Sequence, residues 1–293
     1  MVEVVRVRSV LNKHRRRDEW FLDDYSLNPY RGCSFNCIYC YIHGGRYGDR
    51  GLAVKVNAPD ILVKELSRYA RKGEYGFIAI GSATEPWMTG VEERYRVTRK
   101  CLHVISKYKF PVHCLTKSTL ILRDLDLLET IRDNAVIPSD LRDRLRHGVL
   151  VTYSFSTLRD DIAGIFETGA PPPRDRLNAL KRIIDEGFTA GIAYMPILPF
   201  ISDSEIEDMV RIAKDLGCNY VFFAPLTLDG LGKQLYFRVI EKWFPELLGK
   251  YHILYNRRYS PPKWYASRLY RESMRYLEKY GLRLGIIDID LRV

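Results

Sequence analysis

The 293-residue chain is 46% hydrophobic and 12% aromatic, enough for a large folded core and too apolar for general disorder. No window approaches 18 uncharged apolar residues, which excludes a membrane-spanning helix, and MVEVVRVRSVLNKHRRR has no apolar stretch of signal-peptide length, which predicts a cytoplasmic protein. The net charge of +10 sits at the ends: residues 1–17 carry +5 and residues 250–283 carry +7, around a near-neutral body. That distribution fits either an anionic partner, DNA or RNA first, or a solvated basic surface.

After the basic start, FLDDY reads as a short extended run, followed by a cysteine loop and a glycine-rich stretch. The spacing of Ile61, Leu62, Leu66 and Tyr69 predicts a helix over 58–71, with Asp60 as its cap. Residues 77–80 (FIAI) are a buried-strand run ended by Gly81. The same alternation then repeats. Helices are predicted over 92–108, 125–132, 174–186 and 203–216, and strands over 112–115, 149–155, 189–195 and 220–224. About six strand–helix repeats with short links make an α/β chain with parallel strands, a partial (βα)6 TIM-like barrel whose open side admits a large substrate. The expected organisation is a basic N-terminal extension (1–25), the barrel core (26–234) and a basic, aromatic C-terminal extension closing the barrel (235–293). That last part holds a predicted helix over 261–280 and a terminal strand over 282–291.

Three of the six cysteines, Cys33, Cys37 and Cys40, form C-x3-C-x2-C, too clustered for a disulfide framework. Three thiolates at this spacing can bind three irons of a [4Fe–4S] cluster, leaving the fourth open to a chelating amino-acid group such as that of S-adenosylmethionine (SAM). An electron from such a cluster cleaves a C–S bond of the sulfonium and leaves a 5′-deoxyadenosyl radical. A Cys3His zinc site with His43 is the alternative, in a nucleic-acid-binding protein without catalysis.

The cysteine motif, the aromatic Tyr41 after it and the six-fold βα pattern together resemble the radical SAM superfamily. DYSLNPYRGCSFNCIYCY resembles its spore photoproduct lyase-like branch, as do Leu11-Asn12-Lys13, Thr84-Glu85-Pro86 with Glu92, and Thr98-Arg99. The similarity continues through Thr116-Lys117-Ser118, Leu122-Arg123-Asp124, Glu167 with Ala170-Pro171, Arg176-Leu177 and Met195-Pro196-Ile197. It covers about residues 9–226. The resemblance implies a barrel of the radical SAM type, a [4Fe–4S] cluster, SAM, and a ferredoxin- or flavodoxin-like electron donor.

It also implies how SAM is held. Thr84 and Glu85 end the second strand, where the methionine ammonium binds; Glu85 is alternatively a helix cap. Lys117 ends the third strand and faces the SAM carboxylate in lyase relatives, or is a strand-end lysine reaching water. Ser154 ends the fourth strand, and Ser156, two residues on, points the same way. Tyr41 packs near the adenine or in the core; Arg31 and Tyr39 flank the cluster. Glu167 and Arg176 either pair to order their loop or reach the ligand. Spore photoproduct lyase returns a hydrogen atom from a cysteine after the second strand; Gly81-Ser82-Ala83-Thr84-Glu85 has none, so dimer repair is not carried over. Cys101, Cys114 and Cys218 read as buried, inert thiols.

The C-terminal region interleaves basic residues with Tyr251, Tyr255, Tyr259, Trp264, Tyr265 and Tyr270. This suits base stacking with phosphate contacts, and equally an amphipathic closing helix. The expected activity is hydrogen abstraction from a substrate, nucleic acid first and a protein or small molecule second. The hydrogen-abstracting and hydrogen-returning residues are not assigned.

Overall fold

Residues 77–80, 112–116 and 149–155 are buried at nearly every position, which requires a sheet covered on both faces. The structure, a computed structural model, describes residues 2–43 and 51–287, the side chain of His43 excepted. In chain order the strands are β1 (Glu3–Val5), β2 (Leu11–Lys13), β3 (Asp23–Leu27), β4 (Tyr30–Arg31), β5 (Ala53–Lys55), β6 (Phe77–Ile80), β7 (Val112–Thr116), β8 (Val149–Phe155), β9 (Thr189–Ile197), β10 (Tyr220–Pro225) and β11 (Arg283–Leu284). The α-helices are α1 (Ala58–Arg71), α2 (Glu92–Tyr95), α3 (Val97–Lys107), α4 (Leu125–Asn134), α5 (Asp160–Phe166), α6 (Pro173–Asp185), α7 (Ile206–Leu216), α8 (Gly230–Trp243), α9 (Leu248–Tyr255) and α10 (Lys263–Tyr280).

The main sheet runs β11-β10-β9-β8-β7-β6-β3-β2. Its six central strands, β3 and β6 to β10, are parallel; β11 adds in parallel and β2 in antiparallel fashion at the two edges. This is the expected partial barrel of α/β class. A small second sheet, β1-β5-β4, ties the first residues of the chain to the segment after the cysteine loop.

The barrel interior is filled by Leu22, Phe77, Leu150, Tyr220 and Phe222, with Phe21 and Trp20 packed against them. Across it, His113 contacts the Phe21 carbonyl oxygen (2.9 Å) and the Thr152 hydroxyl (2.6 Å), which lies 2.7 Å from the Tyr220 hydroxyl. Burial pushes the His113 pKa down to about 4, so the imidazole is neutral and acts as a polar strut. No described helix is long and apolar enough to cross a membrane.

Several boundaries differ from the sequence expectation. The helix expected over 92–108 breaks at Arg96, where φ is 51°, because the Glu92 carboxylate accepts from the Thr98 and Arg99 N–H groups (3.0 and 3.1 Å) and starts a new helix. Asp60 lies inside the first turn of α1 rather than at its cap. Asn57 occupies the cap position and spends its side chain on the Val7 backbone (2.8 and 2.9 Å). Neither α5 nor α8 and α9 was legible as a helix. β3 spans residues 25 and 26, and α8 spans residues 234 and 235, so both expected segment boundaries fall inside elements. Of the terminal strand expected over 282–291, Arg283–Leu284 is a strand, and residues 288–291 lie outside the described residues.

Gly81 ends β6 with φ of +100°, and a Cβ there would stand 2.3 Å from the Leu115 carbonyl oxygen. We expect Gly81→Ala to cost on the order of 1–3 kcal/mol or more, read as a lower midpoint in urea unfolding of the metal-free chain.

Candidate active site

The C-terminal ends of the parallel strands open into a cavity of about 470 Å³. Cys33, Cys37, Cys40, Tyr41, Thr84, Glu85, Lys117 and Ser154 all line it, so the residues singled out from the sequence converge on one wall system. Phe21, Ala193, Met195-Pro196 and the segment Ala224–Thr227 complete the wall. No local pattern singles out Phe21, whose approach depends on the N-terminal turn folding into the barrel.

The cysteine loop follows β4 and is stapled across the barrel mouth. The Ile38 N–H donates to the Phe166 carbonyl (2.8 Å), and the Gly169 N–H donates to the Phe35 carbonyl (3.0 Å). Gly169 is required by this approach: a Cβ there would lie 2.5 Å from the Ser34 carbonyl oxygen. All six cysteines are free. Burial pushes the Cys33 thiol up to about 11 and raises Cys37 and Cys40 as well. Opposing it are backbone N–H groups of Phe35 and Glu85 at Cys33 and of Ile42 at Cys40, together with the Lys117 cation at Cys37 and Cys40. Three free thiols on one cavity wall, with N–H donors and a cation favouring their thiolates, are a donor set that fits an iron–sulfur cluster. Among the described residues no three His, Cys, Asp or Glu side chains converge on a single-ion site, whereas a cluster takes its thiolates at separate irons. The zinc alternative needs His43, whose side chain lies outside the described residues.

Glu85 lines the cavity with its carboxylate buried and fully engaged. It accepts from the Thr116 hydroxyl (2.6 Å), the Lys117 N–H (2.8 Å) and the Trp87 N–H (3.1 Å). The residue thus locks the end of β7 against the end of β6 and also caps the following turn. The Thr84 hydroxyl donates to the Gly32 carbonyl, and the Tyr41 hydroxyl to the Ser82 carbonyl. Asn28 clamps the same turn, accepting from the Ala83 N–H (2.9 Å) and donating to the Ser82 hydroxyl (3.1 Å). Asn28 belongs to the run that carries the resemblance, but its clamping role emerges only from the fold.

Behind the wall lies a buried charge network. Arg176 and Glu167, both with fully buried side chains, form an ion pair. Glu167 also accepts from the Tyr39 hydroxyl and from Ser156 (3.0 Å), and stands 3.8 Å from the Lys117 ammonium. Burial alone would raise the Glu167 pKa, yet Arg176 and Lys117 hold the carboxyl well below the usual range. Arg176 completes its contacts on the Pro171 and Ser154 carbonyls (2.7 and 3.1 Å). The pair is therefore structural, and Lys117 is aimed into the cavity in front of it, donating to the Ser154 hydroxyl at 2.6 Å. Ser156 is not among the cavity-lining residues: it lies beyond Phe155, the last residue of β8, and donates to Glu167. Arg31 pairs with Glu3.

A second network explains the remaining motif residues. Glu92 accepts from Tyr30 and from Arg123 (2.7 Å), and Asp124 from Trp87 Nε1 (2.9 Å), Arg99 (2.9 Å) and Arg123 (2.8 Å). These charges hold the second and third βα links together behind the cavity. Cys101, Cys114 and Cys218 are buried, and burial raises each thiol.

The model of the Radical SAM superfamily matches residues 27–213. An uncharacterised protein of Mycobacterium tuberculosis is 28% identical over 263 residues, covering 86% of this chain and 71% of its own. One of Methanocaldococcus jannaschii is 27% identical over 239 residues, with 80% of each chain covered. Among solved structures, a spore photoproduct lyase mutant with bound AdoMet and dinucleoside spore photoproduct superposes with a TM-score of 0.68 at 17% identity, covering 97% of this chain and 80% of the other. Streptococcus suis SuiB bound to precursor peptide SuiA gives 0.55 at 14%, covering 89% and 47%. With its matched barrel and its three-cysteine loop at the strand ends, the chain belongs to the radical SAM superfamily.

Proposed function

We propose that this chain carries a [4Fe–4S] cluster on Cys33, Cys37 and Cys40 and directs SAM-derived radical chemistry at a nucleic acid substrate. The observation that carries the reading is the convergence of those three thiols with Lys117 and Ser154 on one cavity. When bound, the cluster supplies the electron that cleaves SAM to a 5′-deoxyadenosyl radical. The chain's own residues then have distinct tasks. Lys117 offers its ammonium to the SAM carboxylate, and Ser154 orients that ammonium. Thr84 and Glu85, whose side chains already hold protein partners, offer backbone carbonyls to the SAM ammonium. Tyr41 covers the rim on the adenine side. The Glu167–Arg176 pair keeps Lys117 at the wall. A ferredoxin- or flavodoxin-type protein is the expected reductant.

Nucleic acid is favoured over a protein or small molecule by the exposed Arg257, Arg258, Lys263 and Arg271 of the C-terminal region. The spore photoproduct lyase neighbour, which holds a dinucleoside, supports the same reading.

Anaerobically reconstituted protein with dithionite should release 5′-deoxyadenosine from SAM. Lys117→Ala should keep its iron and bind SAM on the order of 10-fold or more weakly, as expected for losing one charged hydrogen bond. Release of no 5′-deoxyadenosine by an iron-loaded wild type would sink the proposal. For the substrate class, binding of DNA or RNA oligonucleotides should weaken steeply as salt rises.

A further inference from the structure

A second cavity, about 690 Å³, lies beside the first. Ala224 and Pro225 line both, and the consecutive residues Phe21 and Trp20 line one each. One wall is a face of α10 bearing Ser267, Tyr270, Arg271 and Ser273. Ser273 is 1% exposed, and its hydroxyl has no hydrogen-bond partner among the described residues. A buried hydroxyl is ordinarily bonded, so an unpartnered one on a cavity wall points to a ligand that supplies the bond.

The remaining residues indicate the ligand's chemistry. Trp20 is braced by stacking on Phe222, with centroids 5.7 Å apart and planes at 18°, and so presents a rigid ring. Tyr270 is 38% exposed and Arg271 is exposed beside it. Of the other cations on α10, Arg268 is engaged with Asp203 (2.8 Å), Arg275 with the Tyr276 hydroxyl (2.5 Å) and Lys279 with Glu207 (2.5 Å), whereas Lys263, like Arg271, is exposed. Aromatic rings, hydroxyls within the slot and a cation at its mouth match a flat heterocycle joined to a phosphate.

We infer that the second cavity is a binding slot for one unstacked nucleobase of a nucleic acid strand, next to the nucleotide presented to the reaction cavity. The inference rests on the nucleic-acid reading above and deepens it. The slot holds the strand by its neighbouring base, while Arg271 meets the phosphate.

The test uses the full reconstituted chain and two labelled probes, pentathymidylate and the same backbone with every base removed, compared by fluorescence anisotropy at low salt. Wild type should prefer the intact probe by about fivefold or more, as stacked bases contribute. Ser267→Trp, which fills the slot, should lower that ratio about fivefold while leaving salt-sensitive binding of the bare backbone. Ser273→Ala, the removal of one oxygen, should lower it in the same direction and decides the matter if Ser267→Trp does not fold. Equal binding of both probes by wild type, or an unchanged ratio in both variants, would overturn the slot. Binding of neither this probe nor its RNA counterpart overturns the nucleic-acid reading itself. Tighter binding of a tryptophan-containing peptide, lost in Ser267→Trp, overturns the nucleobase assignment.

Discussion

Cys37→Ala, purified and reconstituted without oxygen, is expected to be colourless and to release no 5′-deoxyadenosine from SAM. Cys37 is the central cysteine of the loop and the most buried of the three thiols, at 8% exposure. Two remaining thiolates cannot replace the three corners that the cluster needs. Truncating one buried thiol to a methyl costs only about 1 kcal/mol, so the metal-free variant should unfold in urea close to wild type. Cys101→Ala serves as the control: that thiol lies in α3 behind the sheet, and the variant should keep its brown colour and about four irons. An iron-loaded, SAM-cleaving Cys37→Ala protein would remove the assignment of the cluster to this loop.

The second large effect is on stability. Arg176→Ala leaves the Glu167 carboxylate fully buried with Tyr39, Ser156 and a Lys117 ammonium 3.8 Å away, and strips two carbonyls of their donor. Breaking a buried pair in this way costs about 3–5 kcal/mol. Arg176→Met with Glu167→Gln removes both charges together and should recover part of that loss, which a double-mutant cycle measures by urea unfolding. The pH dependence follows from the depressed pKa of Glu167. Its folded value lies below the ordinary 4.5, so its contribution is fully present above pH 4.5 and is lost as pH falls toward the folded value. The stability gap between wild type and Glu167→Gln should therefore be widest near neutrality and narrow below pH 4.5.

The parallel barrel was legible from its apolar strand runs, and Thr84, Glu85, Lys117 and Ser154 because they sit where such runs stop, whereas Cys33, Cys37, Cys40 and Tyr41 were legible from the cysteine spacing and the resemblance. What local pattern does not encode is which atoms are already taken. Glu85 reads as an ammonium contact or a helix cap at a strand end, and the fold adds what neither reading holds: three donors from two segments occupy its carboxylate. Ser156 reads as continuing the alternation of Ser154, yet it lies beyond the last residue of β8. Phe21 and Trp20 carry no periodic signal at all, and their place in the two cavities is set by the turn at Leu22, where φ is 57°. The basic ends were visible as sums, but their partners were not. Lys13 pairs with Glu74, Arg17 with Asp24, and Arg268 with Asp203, so part of the excess is spent within the fold.

The staple across the barrel mouth has a consequence for the order of assembly. Tyr39 is held by Glu167, 128 residues further along the chain, and Ile38 and Phe35 by the backbone of the same distant turn. On a growing chain the thiols emerge early, but the loop carrying them has no fixed shape until α5 and α6 have packed against β8. The pocket around the three thiols is thus completed by the fourth βα unit, and under the function proposed above iron insertion would be a late step that inspects whether the barrel has closed as far as it can.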